Sequence, residues 1–234
     1  MGINEIACRK STFRLIALFL AVISNINLFF AQDKDFELWT GVALEANLFK
    51  NISFDLEEEV RFRNNASEFE VYFTDAGISI DLLKRFTFSG NYRFIRDKEL
   101  TDNYSNIHRY YFDLRYSKNI NRFAFIFRTR YQIRYENVYS SESGYLPEKY
   151  SRNKFGLDYN IYHSPLRVRL WGEFFYQLNN PEGNKIDKIR YAPELRYVIN
   201  KSNELKIFYI IEKEYYIENP SIIYILGISY GYKI

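Results

Sequence analysis

The stretch FAFIFRTRYQIRYE, residues 123–136, decides the fold of this chain. Apolar and polar residues alternate along it. Phe125 and Phe127 share one side with further aromatic and apolar residues, and Arg128 and Arg130 share the other side with further polar residues. Successive side chains of a β-strand point to opposite faces, so this alternation predicts a strand with an aromatic face and a charged face. The stretch is 14 residues long, whereas strands of globular proteins usually have about five or six residues.

The C-terminal residues 224–234 repeat the pattern. Every second residue is apolar or aromatic, and Gly227, Ser229, Gly231 and Lys233 between them are small or polar. In a water-soluble sheet an apolar face needs a second sheet to cover it, but nearly every segment of this chain has one apolar and one polar face. A bilayer requires tilted strands of about 9–11 residues, so we predict strands that cross a membrane.

Eleven segments alternate in this way: residues 36–48, 52–63, 69–82, 86–97, 108–118, 122–136, 150–162, 166–178, 187–199, 203–216 and 222–234. Tight links alternate with links that are mostly longer and more polar, as expected for periplasmic turns and external loops. We predict an all-β fold, an antiparallel transmembrane β-barrel of about 10–12 strands. Bacterial barrels usually have an even strand count, so either a strand is merged or missed, or the segment from Phe36 pairs unusually.

The first 31 residues have another composition. A basic head precedes an apolar stretch at residues 15–30, and the small residue Ala31 follows. This pattern predicts a secretory signal peptide, residues 1–31, and a barrel domain, residues 32–234. A retained inner-membrane anchor is the alternative. Cys8 is the only cysteine and lies before the apolar stretch, so it would leave with the signal peptide.

The charge balance and the motifs exclude several classes of protein. Removal of the signal peptide takes away Arg9, Lys10, Arg14 and Glu5, which leaves 29 basic and 28 acidic residues from the 32 and 29 of the whole chain. Such a balance predicts no nucleic-acid binding. A mature chain without cysteine has no thiolate metal site or disulfide framework, and the sequence contains no phosphate-binding glycine loop and no HExxH motif. We expect no cofactor.

The charged faces of the strands are expected to line the lumen. The candidate lumen-lining residues are Glu57, Glu59, Arg93, Arg115, Arg128, Arg130, Arg134, Arg169, Glu173 and Arg196. One interpretation is a structural barrel, because ion pairs across a narrow lumen would neutralise and fill it. The other is a narrow passive pore whose arginines mildly favour anions.

Three residues conflict with the alternation. Glu58 and Lys213 fall on the apolar face, and Pro193 removes a backbone donor from the ninth segment. A charge that faces lipid near mid-depth costs a few kcal/mol. We therefore expect a β-bulge near residues 57–59.

His108 provides the alternative of an enzyme. Asp97, Asp102 and Ser105 lie close to it in the sequence, and a base beside a nucleophile near the lipid rim is what a lipid-modifying or protease-like barrel enzyme needs. A histidine at the membrane interface accounts for the same residues without any chemistry. We therefore predict no catalytic residues and keep the site near His108 as the alternative.

Several strings along the whole mature chain carry a family resemblance. They are DFELWTGVALEANL from Asp35, FDLEEEVRFRNNASEFE from Phe54, NYRFIRD from Asn91, HRYYFDLRY from His108, RTRYQIRYE from Arg128, YSRNKFGLDYNI from Tyr150, EFFYQLNN from Glu173 and DKIRYAPELRY from Asp187. In these strings the chain resembles the uncharacterised family known as domain of unknown function 2490.

The resemblance implies an outer-membrane barrel of the Bacteroidota lineage, and it implies no activity. Together with the alternation it places the protein in the bacterial outer membrane. The expected partners are outer-membrane lipid and, during insertion, the barrel assembly machinery. Many barrels end in phenylalanine, whereas this chain ends in Ile234.

Overall fold

The alternating segments form strands in the residues that a computed structural model describes, which are 34–99, 103–136, 147–180, 183–216 and 220–234. The strands are β1 (Lys34–Phe49), β2 (Ile52–Arg63), β3 (Glu68–Leu83), β4 (Phe86–Lys98), β5 (Tyr104–Ile120), β6 (Phe123–Glu136), β7 (Glu148–Asn160), β8 (Leu166–Gln177), β9 (Lys185–Val198), β10 (Asn203–Glu214) and β11 (Ile222–Lys233). Each strand pairs with its neighbours in the chain, and the sheet closes into a barrel. The prediction of an all-β barrel of about 10–12 strands is confirmed. The predicted signal peptide, residues 1–31, lies outside the described residues.

The barrel closes through a parallel pair. Lys34 lies opposite Ile222, and Glu45 lies opposite Lys233, so β1 and β11 run in the same direction. All the other neighbouring pairs are antiparallel. Strand direction alternates along a meander, so an odd number of strands closes only if its first and last strands are parallel. The sequence suggested two explanations for the odd number of strands, a merged or missed strand or an unusual pairing of the first segment. The structure shows the unusual pairing.

The two ends of the barrel differ in their connections. At one end, which we call the turn end, three hairpins have two-residue links, at residues 50–51, 84–85 and 121–122. Asn121 has a φ of 53°, a left-handed conformation that asparagine tolerates well in such turns. The opposite end carries the longer links, and we call it the loop end.

The link between β2 and β3 fastens the start of β1 at the loop end. Asn64, Asn65 and Ala66 have φ values of 52°, 57° and 61°. Consecutive residues with this backbone conformation turn their N–H groups to one side, where they can hold an anion. The backbone N–H groups of Asn64 and Asn65 donate to the carboxylate of Asp35, each at 3.0 Å.

Glu58 stays on the outer face, and the predicted bulge at residues 57–59 is wrong. The register of β2 with both of its neighbours is continuous from Ser53 to Arg61 and shifts only near the strand ends. The hydroxyl of Thr74 lies 2.8 and 2.9 Å from the two carboxylate oxygens of Glu58 and donates to them. This hydrogen bonding partly satisfies the carboxylate, so the strand accommodates Glu58 without a bulge.

The other two conflicts are also accommodated. Pairing of β9 with β10 is interrupted beside Pro193, between Tyr191 and Glu194, but the register is the same on both sides of the gap. Lys213 pairs with Ile222, the first residue of β11, so it lies near the loop end rather than at mid-depth.

The outer face of the barrel is apolar and aromatic. Large side chains exposed on it include Val42, Ile78, Phe112, Phe125, Phe155, Leu170, Tyr191 and Ile228. Rings of adjacent strands contact one another on this face, for example Phe127 and Phe155, whose centroids are 4.9 Å apart and whose planes are inclined by 40°. Two clusters of buried apolar residues lie on the inner face instead, one around Trp39 and Trp171 and another around Phe73. Within the described ranges no helix is long and apolar enough to cross a membrane.

Candidate functional site: the charged interior

The polar faces of the strands line two cavities inside the barrel. The first, of 720 Å³, extends from mid-barrel towards the loop end, and we call it the loop-side cavity. The second, of 910 Å³, lies towards the turn end, and we call it the turn-side cavity. Glu57, Tyr111, Arg196 and Lys206 line both cavities and mark the boundary between them.

The ten candidate lumen-lining residues all lie on the walls of these cavities. The loop-side cavity is lined by Glu57, Glu59, Arg93, Arg128, Arg130, Arg134, Arg169, Glu173 and Arg196. Arg115 lines the turn-side cavity. The structure therefore gathers residues from six strands onto one continuous inner surface, because each of them shares the inward parity of its strand.

Glu173 holds two arginines on the wall of the loop-side cavity. Its side chain is only 3% exposed. It accepts a hydrogen bond from Arg128 at 2.5 Å and two from Arg152, at 3.0 and 3.1 Å. Such a bidentate guanidinium–carboxylate pair is among the strongest polar contacts in proteins. The remaining amino group of Arg152 donates to Gln132 at 3.0 Å.

A second network lies on the four consecutive strands from β3 to β6. Arg93 donates to Asp75 at 2.5 Å, and the hydroxyl of Tyr111 donates to the same carboxylate at 2.6 Å. The ring of Tyr111 also forms a cation–π contact with Arg130, whose guanidinium lies 3.6 Å from the ring centroid. Arg130 in turn binds Asp113 through two hydrogen bonds of 2.7 and 2.8 Å. Asp113 joins this network to the first, because its carboxylate also lies 3.9 Å from Arg128.

The ion pairs of the described residues run along the barrel wall. Each joins residues of the same strand, of adjacent strands or of strands two apart. The longest steps are Arg128 to Glu173 and Arg93 to Glu57. These residues therefore do not form ion pairs across the lumen, which would fill it. The pairs neutralise much of the wall and leave the two cavities between them.

Aromatic side chains complete the inner wall. The guanidinium of Arg61 lies 3.6 Å from the ring centroid of Trp39, and the ammonium of Lys154 lies 3.4 Å from that of Trp171. These cation–π contacts partly replace the water that the cations lose. Trp39 and Trp171 line the loop-side cavity.

Sequence reasoning missed Arg152 and Asp75, which carry two of the strongest contacts. Strand parity was a usable signal for both, since Arg152 lies two residues before Lys154 and Asp75 two residues after Phe73 on the inward side. Asp75 was hard to recognise as a lumen-lining residue, because the residues around it in the sequence are mostly uncharged.

The structure separates His108 from the residues that would complete a catalytic site. His108 lies on the outer face, where its Nδ1 is 2.8 Å from the hydroxyl of Tyr92. Ser105 pairs with Asp97 on the neighbouring strand, and both have the inward parity of their strands. Asp102 lies outside the described residues. Within the described part of the chain, no cluster of three or more histidine, cysteine or acidic side chains is arranged to hold a metal ion.

These features define the chain as a closed β-barrel protein with an apolar outer face and a charged interior. The chain belongs to the family described as protein of unknown function DUF2490, whose model matches residues 36–221. No curated protein matches the sequence.

Two solved structures illustrate the likeness in fold. The KdgM porin, solved in complex with disordered oligogalacturonate, is 13% identical, with a TM-score of 0.44 over 75% of this chain and 88% of that chain. The translocator domain of the autotransporter NalP from Neisseria meningitidis is 9% identical, with a TM-score of 0.37 over 74% of this chain and 71% of that chain. At such low identity the likeness concerns the fold alone.

Proposed function

We propose that the protein is an integral barrel of the bacterial outer membrane and acts as a narrow passive pore. The observation that carries the proposal is the division of the barrel into an apolar, aromatic outer face and a charged inner face with cavities of 720 and 910 Å³. Lipid would cover the outer face, whereas a water-soluble protein rarely exposes apolar patches larger than a few hundred Å². Outer-membrane lipid and, during insertion, the assembly machinery are the partners this proposal implies.

The size of the barrel and the course of its ion pairs favour a pore over a filled interior. Barrels of about eight strands are just filled by their own side chains, and barrels of about 16 strands hold an aqueous channel. With eleven strands this barrel lies between these cases. Its ion pairs follow the wall, so water can occupy the cavities that remain.

An enzyme with a site near His108 has less support. In the described residues, the barrel wall separates His108 from Ser105 and Asp97. A base and a nucleophile on opposite faces of a strand cannot exchange a proton directly.

Conductance of the refolded protein in a planar bilayer tests the proposal. Folding is first verified by a heat-dependent shift in gel mobility. We expect small, stable conductance steps whose reversal potential in a salt gradient changes with Arg128→Glu. Arg85→Glu is the matched control, because Arg85 is exposed in a turn and lines neither cavity. A folded, inserted protein without conductance would contradict the pore and leave a structural barrel.

A further inference from the structure

Arg109 of β5 differs from the arginines around it. It lines the loop-side cavity, yet it forms no ion pair and no side-chain hydrogen bond with any described residue. Its Nε atom is buried without a hydrogen-bond partner. A buried guanidinium donor without an acceptor is costly, so the position calls for an acceptor that the protein itself does not supply.

Strand register places Arg109 in the middle of a row of arginines. It lies directly opposite Arg93 on β4 and directly opposite Arg134 on β6. The outer members of the row have carboxylates, since Arg93 binds Asp75 at 2.5 Å and Arg134 binds Glu148 at 3.0 Å. Like charges in directly opposite positions destabilise a sheet. The central arginine is therefore both unpaired and repelled by its neighbours.

More arginines act on this position from other strands. Arg61 of β2 and Arg152 of β7 line the same cavity and add to the positive charge around Arg109. The amide of Gln132, which also lines the cavity, completes a polar wall around it. The local field is thus positive, and such a field attracts anions.

We propose that Arg109 is the centre of an oxyanion-binding site in the loop-side cavity, which takes the carboxylate or phosphate group of a small solute. The planar guanidinium matches both groups, because its donors can bind two oxygens of one group at once. The cavity of 720 Å³ is large enough for a small organic anion. The proposal deepens the pore function in that the solute would reach the site through the lumen.

A second arginine of β5 extends the arrangement. Arg115 lies on the same face, six residues further along the strand and hence about 20 Å away. It lines the turn-side cavity and likewise forms no ion pair with a described residue. Each cavity therefore has one arginine of β5 that is available to an anion, which favours movement of the anion from one cavity to the next.

The two tryptophans provide a local test, because Trp39 and Trp171 are the only tryptophans of the chain and both line the loop-side cavity. Their fluorescence is measured in detergent-folded protein in a chloride-free buffer, with iodide as an anionic quencher and acrylamide as a neutral one. Inorganic phosphate and citrate serve as competitors. We expect both to reduce quenching by iodide and to leave quenching by acrylamide unchanged.

The variant Arg109→Gln should weaken this competition about tenfold, the effect of losing a charged hydrogen-bonding partner. It should still fold, because the substitution also removes a repulsive charge. Arg109→Lys serves as a second variant that keeps the positive charge but lacks the planar guanidinium group. The matched control is Arg169→Gln, which removes an equal charge from the same cavity wall but from an arginine already bound to Asp158.

Equal competition in wild type and Arg109→Gln, or an equal loss in Arg109→Gln and Arg169→Gln, would overturn the site. The experiment needs no membrane current. If the protein does not conduct but phosphate still competes with iodide, the pore alone is refuted. If the protein conducts but phosphate does not compete, the site alone is refuted.

Discussion

The substitution Glu173→Gln tests the energetics of the inner wall. The change keeps the size of the side chain and removes the charge that Arg128 and Arg152 share. Two guanidinium groups would then lie in the wall without their main carboxylate. Arg128 has one other carboxylate within ion-pair distance, that of Asp113 at 3.9 Å. The loss should therefore be large for a single substitution.

The magnitude follows from the burial of the pair. The side chains of Glu173 and Arg152 are 3% and 9% exposed, so solvent screens their attraction little. Removal of one partner from a buried ion pair costs about 3–5 kcal/mol. With a urea dependence of about 2 kcal/mol per molar, this lowers the unfolding midpoint by about 2 M.

Urea unfolding in detergent, followed by tryptophan fluorescence, measures the effect. The control is Glu214→Gln, since Glu214 is 24% exposed and lies 3.7 Å from Lys188. A partly exposed and longer pair of this kind contributes less than about 1 kcal/mol, so the midpoint should move by less than about 0.5 M. Glu173→Gln should also increase the preference of the pore for anions, because it exposes two cations to the loop-side cavity.

Equal midpoint shifts in the two variants would refute the reasoning that Glu173 neutralises a dry part of the wall. A further comparison separates loss of the pair from loss of the side chain itself. Addition of Arg152→Met to Glu173→Gln removes one of the unpaired charges and should recover much of the lost stability, because an apolar replacement of a buried pair is often neutral.

Three further outcomes are expected. Gly227→Ala should cost about 1–3 kcal/mol in urea unfolding, because the added methyl group would meet the ring of Phe208, and Phe208→Leu should recover part of this loss. Arg130→Glu should shift the reversal potential towards cation preference, since it replaces a cation beside Asp113 by a second carboxylate, and an unchanged potential would exclude β6 from the conducting path. His108→Ala should leave conductance unchanged and lower stability by less than about 1 kcal/mol, because it removes one hydrogen bond on the outer face.

The sequence contained enough information for the strands and for the two faces of each strand. In β6, the aromatic residues all have one parity and the arginines the other, and the structure turns the arginines to the inner face. Side-chain parity is a local property, so one strand is sufficient to read it. The ten candidate lumen-lining residues follow from parity alone.

Partners across strands were harder to predict, because they depend on register. Arg130 and Asp113 are directly opposite each other only through the pairing of β5 with β6. The same pairing places Arg109 opposite Arg134, and no local pattern indicates that Arg109 lacks a carboxylate. The parallel closure of β1 on β11 follows from the count of eleven segments, but the sequence left open whether a strand had been merged or missed. Glu58 was misjudged because its hydrogen-bond donor, Thr74, belongs to another strand.

The parallel pairing of β1 with β11 has a consequence for how the chain passes through the membrane. Lys34 lies at the loop end and Lys233 at the turn end, so in the proposed membrane barrel the polypeptide would enter at one membrane surface and leave at the other. β2 to β11 can be inserted as five hairpins, each of which returns to the side from which it came. β1 has no such companion, so in the proposed membrane barrel the start of this strand would itself have to cross the full thickness of the bilayer. Short epitopes attached next to these two lysines would therefore be accessible from opposite compartments.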